Sequence, residues 1–117
     1  MTITRLHTGP RMSQAVIHNT VVYLAGQVAD AAKGKSVTEQ TREILATIDR
    51  LLAEAGSDKT RLLSTTIYLA DISTFAEMNA VWEAWIPAGS APARATVEAK
   101  LAAPPYTVEI VCIAAKT

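Results

Sequence analysis

The sequence has a single cysteine and no long apolar run, and each of these scarcities excludes a class of protein. The single cysteine, Cys112, excludes an internal disulfide framework and fits a reducing compartment. No apolar run approaches the roughly 20 residues that a membrane-spanning helix needs. The N-terminal segment also lacks the apolar stretch of a signal peptide. We therefore expect a soluble, cytoplasmic protein that makes no membrane contact.

An excess of charge of either sign is absent as well. The 117 residues include 11 basic and 11 acidic side chains, so the formal net charge is zero. Without a basic patch, nucleic acid is not an expected partner. His7 and His18 have no second ligand at metal spacing, so neither predicts a metal site, and we expect no cofactor. Half of the residues are hydrophobic, which predicts a single domain over residues 1–117.

The N-terminal half predicts three strands followed by a helix. Residues 3–6 show a weak alternation of apolar and polar side chains, which predicts a short first strand, and residues 15–26 have the pattern of a hairpin. Ser36 and Glu39 have the spacing of a capping box, and Gly56 is a typical C-terminal stop, so a helix is predicted between them. That helix carries one apolar stripe, made of Ile44, Leu45, Ile48, Leu51, Leu52 and Ala55.

The C-terminal half predicts strand, helix, strand and strand, which completes a β-β-β-α-β-α-β-β order. Residues 61–69 alternate as a strand, with Leu63 on the same face as Thr65, Ile67 and Leu69. Thr74 and Glu77 suggest a second capping box. The helix after it carries an apolar stripe of Phe75, Met78, Trp82, Trp85 and Ile86, so both tryptophans are assigned to the core.

Residues 92–98 have the pattern of a strand on which Arg94, Thr96 and Glu98 share one face. Arg94 is a permanent cation between two alanines, and its planar guanidinium suits the two oxygens of a carboxylate or phosphate. Two interpretations stay open. Either Glu98 or another acid is its partner and the pair is structural, or Arg94 binds a ligand.

The last strand, residues 106–115, is apolar on both faces and has Glu109 as its only charge. A carboxylate in such a strand is costly unless it is paired or its pKa is raised, which makes Glu109 a second candidate. Cys112 in the same strand is expected to pack as a small apolar residue. Because two helices cover one face of the sheet, we expect another copy of the chain to bury the other, with pockets between subunits.

Four motifs occur in the order and spacing of the RidA/YjgF/YER057c/UK114 family, which is also labelled RutC-like or endoribonuclease L-PSP. They are Ala25-Gly26-Gln27, Phe75-x-x-x-Asn79, Pro92-Ala93-Arg94 with Val97-Glu98, and Val108-Glu109-Ile110 with Ile113-Ala114. The segment from Gly9 to Ser13 and the tryptophan-rich second helix most resemble its YoaB-like branch. The resemblance implies a chorismate-mutase-like α+β fold with two helices on one face. It also implies a homotrimer with sites in the clefts between subunits.

The same resemblance implies a reaction, the hydrolytic deamination of reactive enamines and imines such as 2-aminoacrylate to 2-keto acids and ammonia. In that scheme Arg94 binds the substrate carboxylate, and Glu109 positions or activates water. Asn79 lies near the site, and Thr96 contributes mainly backbone contacts. An imine carbon is already electrophilic, so hydrolysis needs only a residue that fixes the substrate carboxylate, a positioned water and one proton carrier.

Two positions depart from the imine deaminases of that family. Those proteins often carry a tyrosine where this chain has Arg11 and Met12, and a serine or threonine where it has Ala25, before Gly26. Both changes touch the wall of the expected pocket, and Arg11 would favour a larger or more acidic ligand. The alternative function is therefore binding of a small carboxylate without turnover. Ribonuclease activity, which one family label suggests, is not favoured, because no histidine pair or RNA-binding face is visible.

Overall fold

A computed structural model describes residues 2–117 as one six-stranded sheet with two helices on one face. The elements are β1 (Ile3–Leu6), β2 (Ala15–His18), β3 (Val21–Leu24), α1 (Val37–Glu54), β4 (Leu62–Leu69), α2 (Phe75–Trp85), β5 (Ala93–Glu98) and β6 (Val108–Ala115). The strand order is β1-β2-β3-β6-β4-β5, and only the β4–β5 pair is parallel. The predicted α+β class and the predicted order of elements are confirmed.

The helix face of the sheet is the face that α1 and α2 cover. Its buried side chains come from the three central strands and include Val22, Leu24, Ile67, Leu69, Val108, Ile110 and Cys112. Cys112 also lies 3.4 Å from the Thr65 hydroxyl, and burial raises the pKa of its thiol to about 11. A thiol of this kind stays protonated at neutral pH, so Cys112 packs as an apolar residue, as predicted.

The local signals at both ends of α1 act as predicted. The Glu39 backbone N–H donates to the Ser36 hydroxyl at 3.1 Å, which satisfies one of the free donors at the helix start. The helix ends before Gly56, which has a φ of 80°. This left-handed conformation closes the last turn and suits a residue without a side chain.

The predicted capping box of α2 is wrong. Thr74 makes no side-chain cap, and the short 3-10 turn before α2 is capped by Asp71, which accepts from the Ser73 N–H at 2.9 Å. Glu77 instead accepts from both the backbone N–H and the hydroxyl of Thr38, each at 2.9 Å. Its carboxylate therefore lies at the N-terminus of α1, where negative charge is favourable, and it links the two helices.

The predicted orientation of Leu63 is also wrong. Leu63 is 50% exposed, whereas Leu62 is 6% exposed and joins the core. The pairing of β4 with β6 shifts between Leu62 and Ser64, so one extra residue lies in β4 at this point. Such a bulge breaks the alternation of faces, which a strand pattern alone does not reveal.

The open face of the sheet lies opposite the helices and is largely apolar. The strand pairings place Val16, Val21, Tyr23, Val97, Val111 and Ile113 on it. All six are partly or fully accessible to solvent, since no element among residues 2–117 covers this face. The uncovered apolar face that the sequence predicts is therefore present. No helix of the described chain has both the length and the apolar character needed to cross a bilayer.

A buried glutamine that the sequence did not single out fixes the segment before β6. The Gln40 amide donates to the carbonyls of Lys35 and Pro105, at 3.1 and 2.9 Å, and its oxygen accepts from the Thr107 N–H at 2.9 Å. Gln40 is fully buried, and its amide makes three of its four possible hydrogen bonds inside the protein. It joins the start of α1 to the entry of β6.

Replacing Gln40 by leucine should lower the free energy of unfolding by about 2–4 kcal/mol, because buried backbone groups lose their partners. Thr41→Val is the matched control, since Thr41 is equally buried but donates only to the Val37 carbonyl of its own helix, at 2.7 Å. Urea unfolding measures both changes. Equal losses for the two variants would show that Gln40 has no special anchoring role.

Candidate functional site

Arg94 lies on the helix face at the edge of the sheet. It pairs in register with Thr65 of β4, whose side chain is buried beneath the helices. The centre of its guanidinium lies 5.9 Å from the Phe75 ring and 5.5 Å from the Trp82 ring. Both rings belong to α2, and at this distance their faces attract a cation. Partial burial lowers the pKa of Arg94, while nearby Glu83 acts in the opposite direction.

Glu98 is not the partner of Arg94. Its carboxylate accepts from the Ile72 N–H at 3.0 Å, in the turn before α2. The ion pair found among residues 2–117 joins His7 to Glu54, and no carboxylate of this part of the chain reaches Arg94 within 4.0 Å. Of the two interpretations of Arg94, the internal pair with Glu98 is therefore excluded.

Two further polar groups face the same space between α2 and β5. Asn79 lies four residues after Phe75 and three before Trp82, so it belongs to the stripe of α2 that faces Arg94. Thr96 is the next residue on the same face of β5. The Asn79 Oδ1 and the Thr96 Oγ1 are buried and find no hydrogen-bond partner in residues 2–117. We call these five residues the arginine cluster.

The arginine cluster corrects one part of the sequence prediction. Trp82 is 5% exposed and packs in the core as expected, but Phe75 is 42% exposed and lies beside the guanidinium. The apolar stripe of α2 is therefore part core and part site wall. The sequence did contain a signal for this role of Phe75, namely its four-residue spacing from Asn79, because a helix brings residues four apart onto one side.

Glu109 lies on the open face, away from Arg94. It alternates along β6 with Val108 and Ile110, which are fully buried under the helices, and it pairs in register with Tyr68. Because successive side chains of a strand point to opposite faces, Glu109 and Arg94 are on opposite sides of the same sheet. A single chain therefore does not bring its two principal candidates together.

Gly26 makes room for the Glu109 carboxylate. A Cβ at position 26 would collide with a carboxylate oxygen of Glu109 and would lie 3.1 Å from its Cδ. Gln27 holds this backbone in place, since its N–H donates to the Ile110 carbonyl at 2.9 Å and its carbonyl accepts from the Ile110 N–H at 3.1 Å. The Ala25-Gly26-Gln27 motif thus provides close approach of β3 to Glu109.

A cavity of about 280 Å³ adjoins Glu109. Tyr68, Val111 and residues 99–102 line it together with the glutamate. The sequence prediction missed Tyr68, although its position beside Glu109 follows from the pairing of β4 with β6. We call Ala25, Gly26, Tyr68 and Glu109 the glutamate cluster.

Arg11 and Met12 lie at the opposite edge of the sheet from β5. They line a separate depression of about 360 Å³ and precede Gln14, whose carbonyl accepts from the Ala25 N–H at 2.9 Å. Their segment is thus joined to the glutamate cluster and is remote from Arg94 in the same chain. The predicted site residues form two separate groups.

Gly26→Ala should displace the Glu109 carboxylate with little loss of stability, because the colliding group is the end of a flexible side chain. The change in free energy of unfolding should stay below about 1 kcal/mol. Gly9→Ala is the control, since a Cβ there meets only the Met12 carbonyl, at 3.8 Å. A crystal structure of the variant checks the movement, and an unmoved Glu109 would contradict it.

The comparisons with known proteins agree with this fold. A family model described as endoribonuclease L-PSP matches residues 2–116. A RutC family protein from Haemophilus influenzae is 47% identical over 114 residues, which cover 97% of this chain and 98% of that protein. A YjgF-family protein from Neisseria meningitidis, known from a crystal structure, superposes with a TM-score of 0.96 at 50% identity, covering 100% of this chain and 97% of that one.

The chain therefore belongs to the endoribonuclease L-PSP family, the RidA/YjgF/RutC-like proteins. Within it, the chain is similar to the RutC family protein YoaB of Escherichia coli, at 46% identity over 117 residues that cover 98% of this chain and 99% of that protein. A 2-iminobutanoate/2-iminopropanoate deaminase of Rattus norvegicus is 32% identical over 107 residues, which cover 87% of this chain and 77% of that protein.

Proposed function

We propose that this protein hydrolyses reactive 2-imino acids and their enamine tautomers to 2-keto acids and ammonia, in the cytoplasm. The observation that carries the proposal is a partly buried guanidinium that lies within 6 Å of two aromatic rings and has no carboxylate of the described chain within 4.0 Å. An arginine in this state is suited to bind an organic carboxylate at two points. The name of the rat relative, an imine deaminase, supports the same substrate class.

The proposed site lies between two copies of the chain. The arginine cluster has a binding group and no carboxylate to activate water, whereas the glutamate cluster has the carboxylate and lies on a face that nothing among residues 2–117 covers. The two clusters complement each other if the β5 edge of one protomer meets the open face of the next. This head-to-tail contact closes into a ring, for which we propose a homotrimer.

The chemistry requires only these groups and a water molecule. Arg94 fixes the carboxylate of CH3–C(=NH)–COO⁻, and Glu109 of the adjoining protomer accepts a proton as the water oxygen bonds to C2. Glu109 passes that proton to the imine nitrogen, which becomes the NH2 group of a carbinolamine. Glu109 then accepts the proton of the carbinolamine hydroxyl and delivers it to the nitrogen as the C2–N bond breaks and the C2=O bond forms, and pyruvate and ammonia leave. Proximity and one general base account for a useful acceleration, since the imine carbon is already electrophilic.

A second candidate function is binding of a small carboxylate without turnover. Three residues of the proposed pocket wall support this second function, since the family's deaminases often carry other residues there. They are Arg11, Met12 and Ala25. Such a protein would use Arg94 in the same way and would leave Glu109 dispensable. Measuring whether the protein releases keto acid from an imine distinguishes the two functions directly.

Arg94→Ala should reduce kcat/KM for imine hydrolysis about 100-fold or more, because two charge-assisted hydrogen bonds are lost. Arg94→Lys should lose about 10-fold or more, since the charge remains but the two-point grip does not. Arg5→Ala, at an exposed position of β1, is the control. The assay couples the protein to a serine or threonine dehydratase and follows keto-acid release. No acceleration by the unmodified protein would overturn the proposed reaction.

Mixing two inactive variants tests whether subunits share the site. If Arg94 and Glu109 act across an interface, Arg94→Ala and Glu109→Gln chains that are unfolded together and reassembled at equal ratio should regain about a quarter of the unmodified activity. In a trimeric ring, each mixed trimer holds one intact pair. Each variant reassembled alone is the control, and light scattering reports the assembly. No recovery from mixed trimers would contradict a shared site.

A further inference from the structure

The arginine cluster contains more hydrogen-bonding capacity than a carboxylate can use. The Asn79 Oδ1 and the Thr96 Oγ1 are buried without a partner among residues 2–117. An unsatisfied buried polar atom costs about 1–3 kcal/mol, so two of them beside one cation indicate a place where a ligand completes the bonding. Asn79 lies on the stripe of α2 that faces Arg94, and Thr96 lies on the same face of β5 as Arg94, so the ligand that completes their bonding is the one that Arg94 holds.

The chemistry of these two atoms limits the ligand. An amide oxygen only accepts hydrogen bonds, and a hydroxyl oxygen can accept as well as donate. A carboxylate brings acceptors alone, so it satisfies Arg94 and leaves the Asn79 oxygen unpaired. A 2-keto acid adds one more acceptor and also leaves the Asn79 oxygen without a donor. An imine or enamine nitrogen next to the carboxylate supplies the missing N–H.

We infer that Asn79, assisted by Thr96, recognises the nitrogen of the bound acid, so that the cluster selects carboxylates with an adjacent N–H over the matching 2-keto acids. This inference rests on the proposed function of Arg94 and specifies it further. It makes Asn79 a specificity residue that distinguishes the substrate from the product. The keto acid leaves a buried acceptor unpaired and is released more readily.

Oxamate and pyruvate are a matched pair of stable probes. Both are planar 2-oxo acids of similar size, and oxamate carries an NH2 group where pyruvate carries a methyl group. A half-turn about the C1–C2 bond of oxamate places this N–H where the substrate carries its imine nitrogen. The unmodified protein should bind oxamate about 5–10-fold more tightly than pyruvate, the effect of one neutral hydrogen bond to a buried acceptor. Isothermal titration calorimetry of the assembled protein measures both dissociation constants.

Two variants test the assignment. Asn79→Leu should bring the ratio of the two dissociation constants close to one by weakening oxamate alone, and Thr96→Val should lower the ratio in part. Thr65→Val is the control, because its hydroxyl already contacts the Cys112 sulfur and the ratio should stay unchanged. Circular dichroism verifies folding, and Thr96→Val keeps the test decisive if Asn79→Leu does not fold.

The outcomes separate this inference from the proposed function. Equal binding of both probes by the unmodified protein, lost in Arg94→Ala, overturns nitrogen recognition and leaves the carboxylate grip in place. A preference for oxamate that survives in both Asn79→Leu and Thr96→Val also overturns it. No binding of either probe at millimolar concentration overturns the inference together with the carboxylate grip.

Discussion

The structure depends on a partly buried cation that no carboxylate among residues 2–117 approaches within 4.0 Å. Two aromatic rings of α2 take the place of a counter-ion, since Phe75 and Trp82 lie within 6 Å of the Arg94 guanidinium. Ring faces attract the charge without satisfying its N–H donors, so the outer edge of the guanidinium keeps its hydrogen-bonding capacity. An acid in the same position would have given a more ordinary ion pair and no binding site. Of the acids near Arg94, Glu98 accepts from the turn before α2, and Glu83 does not come within 4.0 Å of the guanidinium.

Arg94 and Glu109 lie on opposite faces of the sheet, and this separation suggests a second role for the apolar open face besides association. A face of this kind is costly in water and favours association with another copy of the chain. If that association places the two clusters together, as proposed, burial of the sheet and completion of the site become the same event. Activity would then depend on protein concentration wherever the assembly dissociates.

Features set by neighbouring residues could be predicted from the sequence, whereas features set by distant ones could not. The α1 boundaries follow from Ser36 and Gly56, which act within one helical turn. Gln40 bonds to backbone groups 65 and 67 residues away, which no local pattern reveals. The sheet face on which Arg94 lies could not be predicted either, because its short strand has small residues on one side and polar residues on the other. The pairing of Arg94 with buried Thr65 is what shows that Arg94 lies on the helix face.

The wall of the cavity beside Glu109 is attached firmly at its two ends and not between them. At one end the Ala99 N–H donates to the Leu69 carbonyl at 2.9 Å, and at the other Gln40 holds the backbone at Pro105 and Thr107. Residues 100–102, which line the cavity between these two points, have no backbone hydrogen bond to the rest of the described chain. The sequence and length of this short span can therefore change, and with them the shape of the cavity, while the sheet stays as it is.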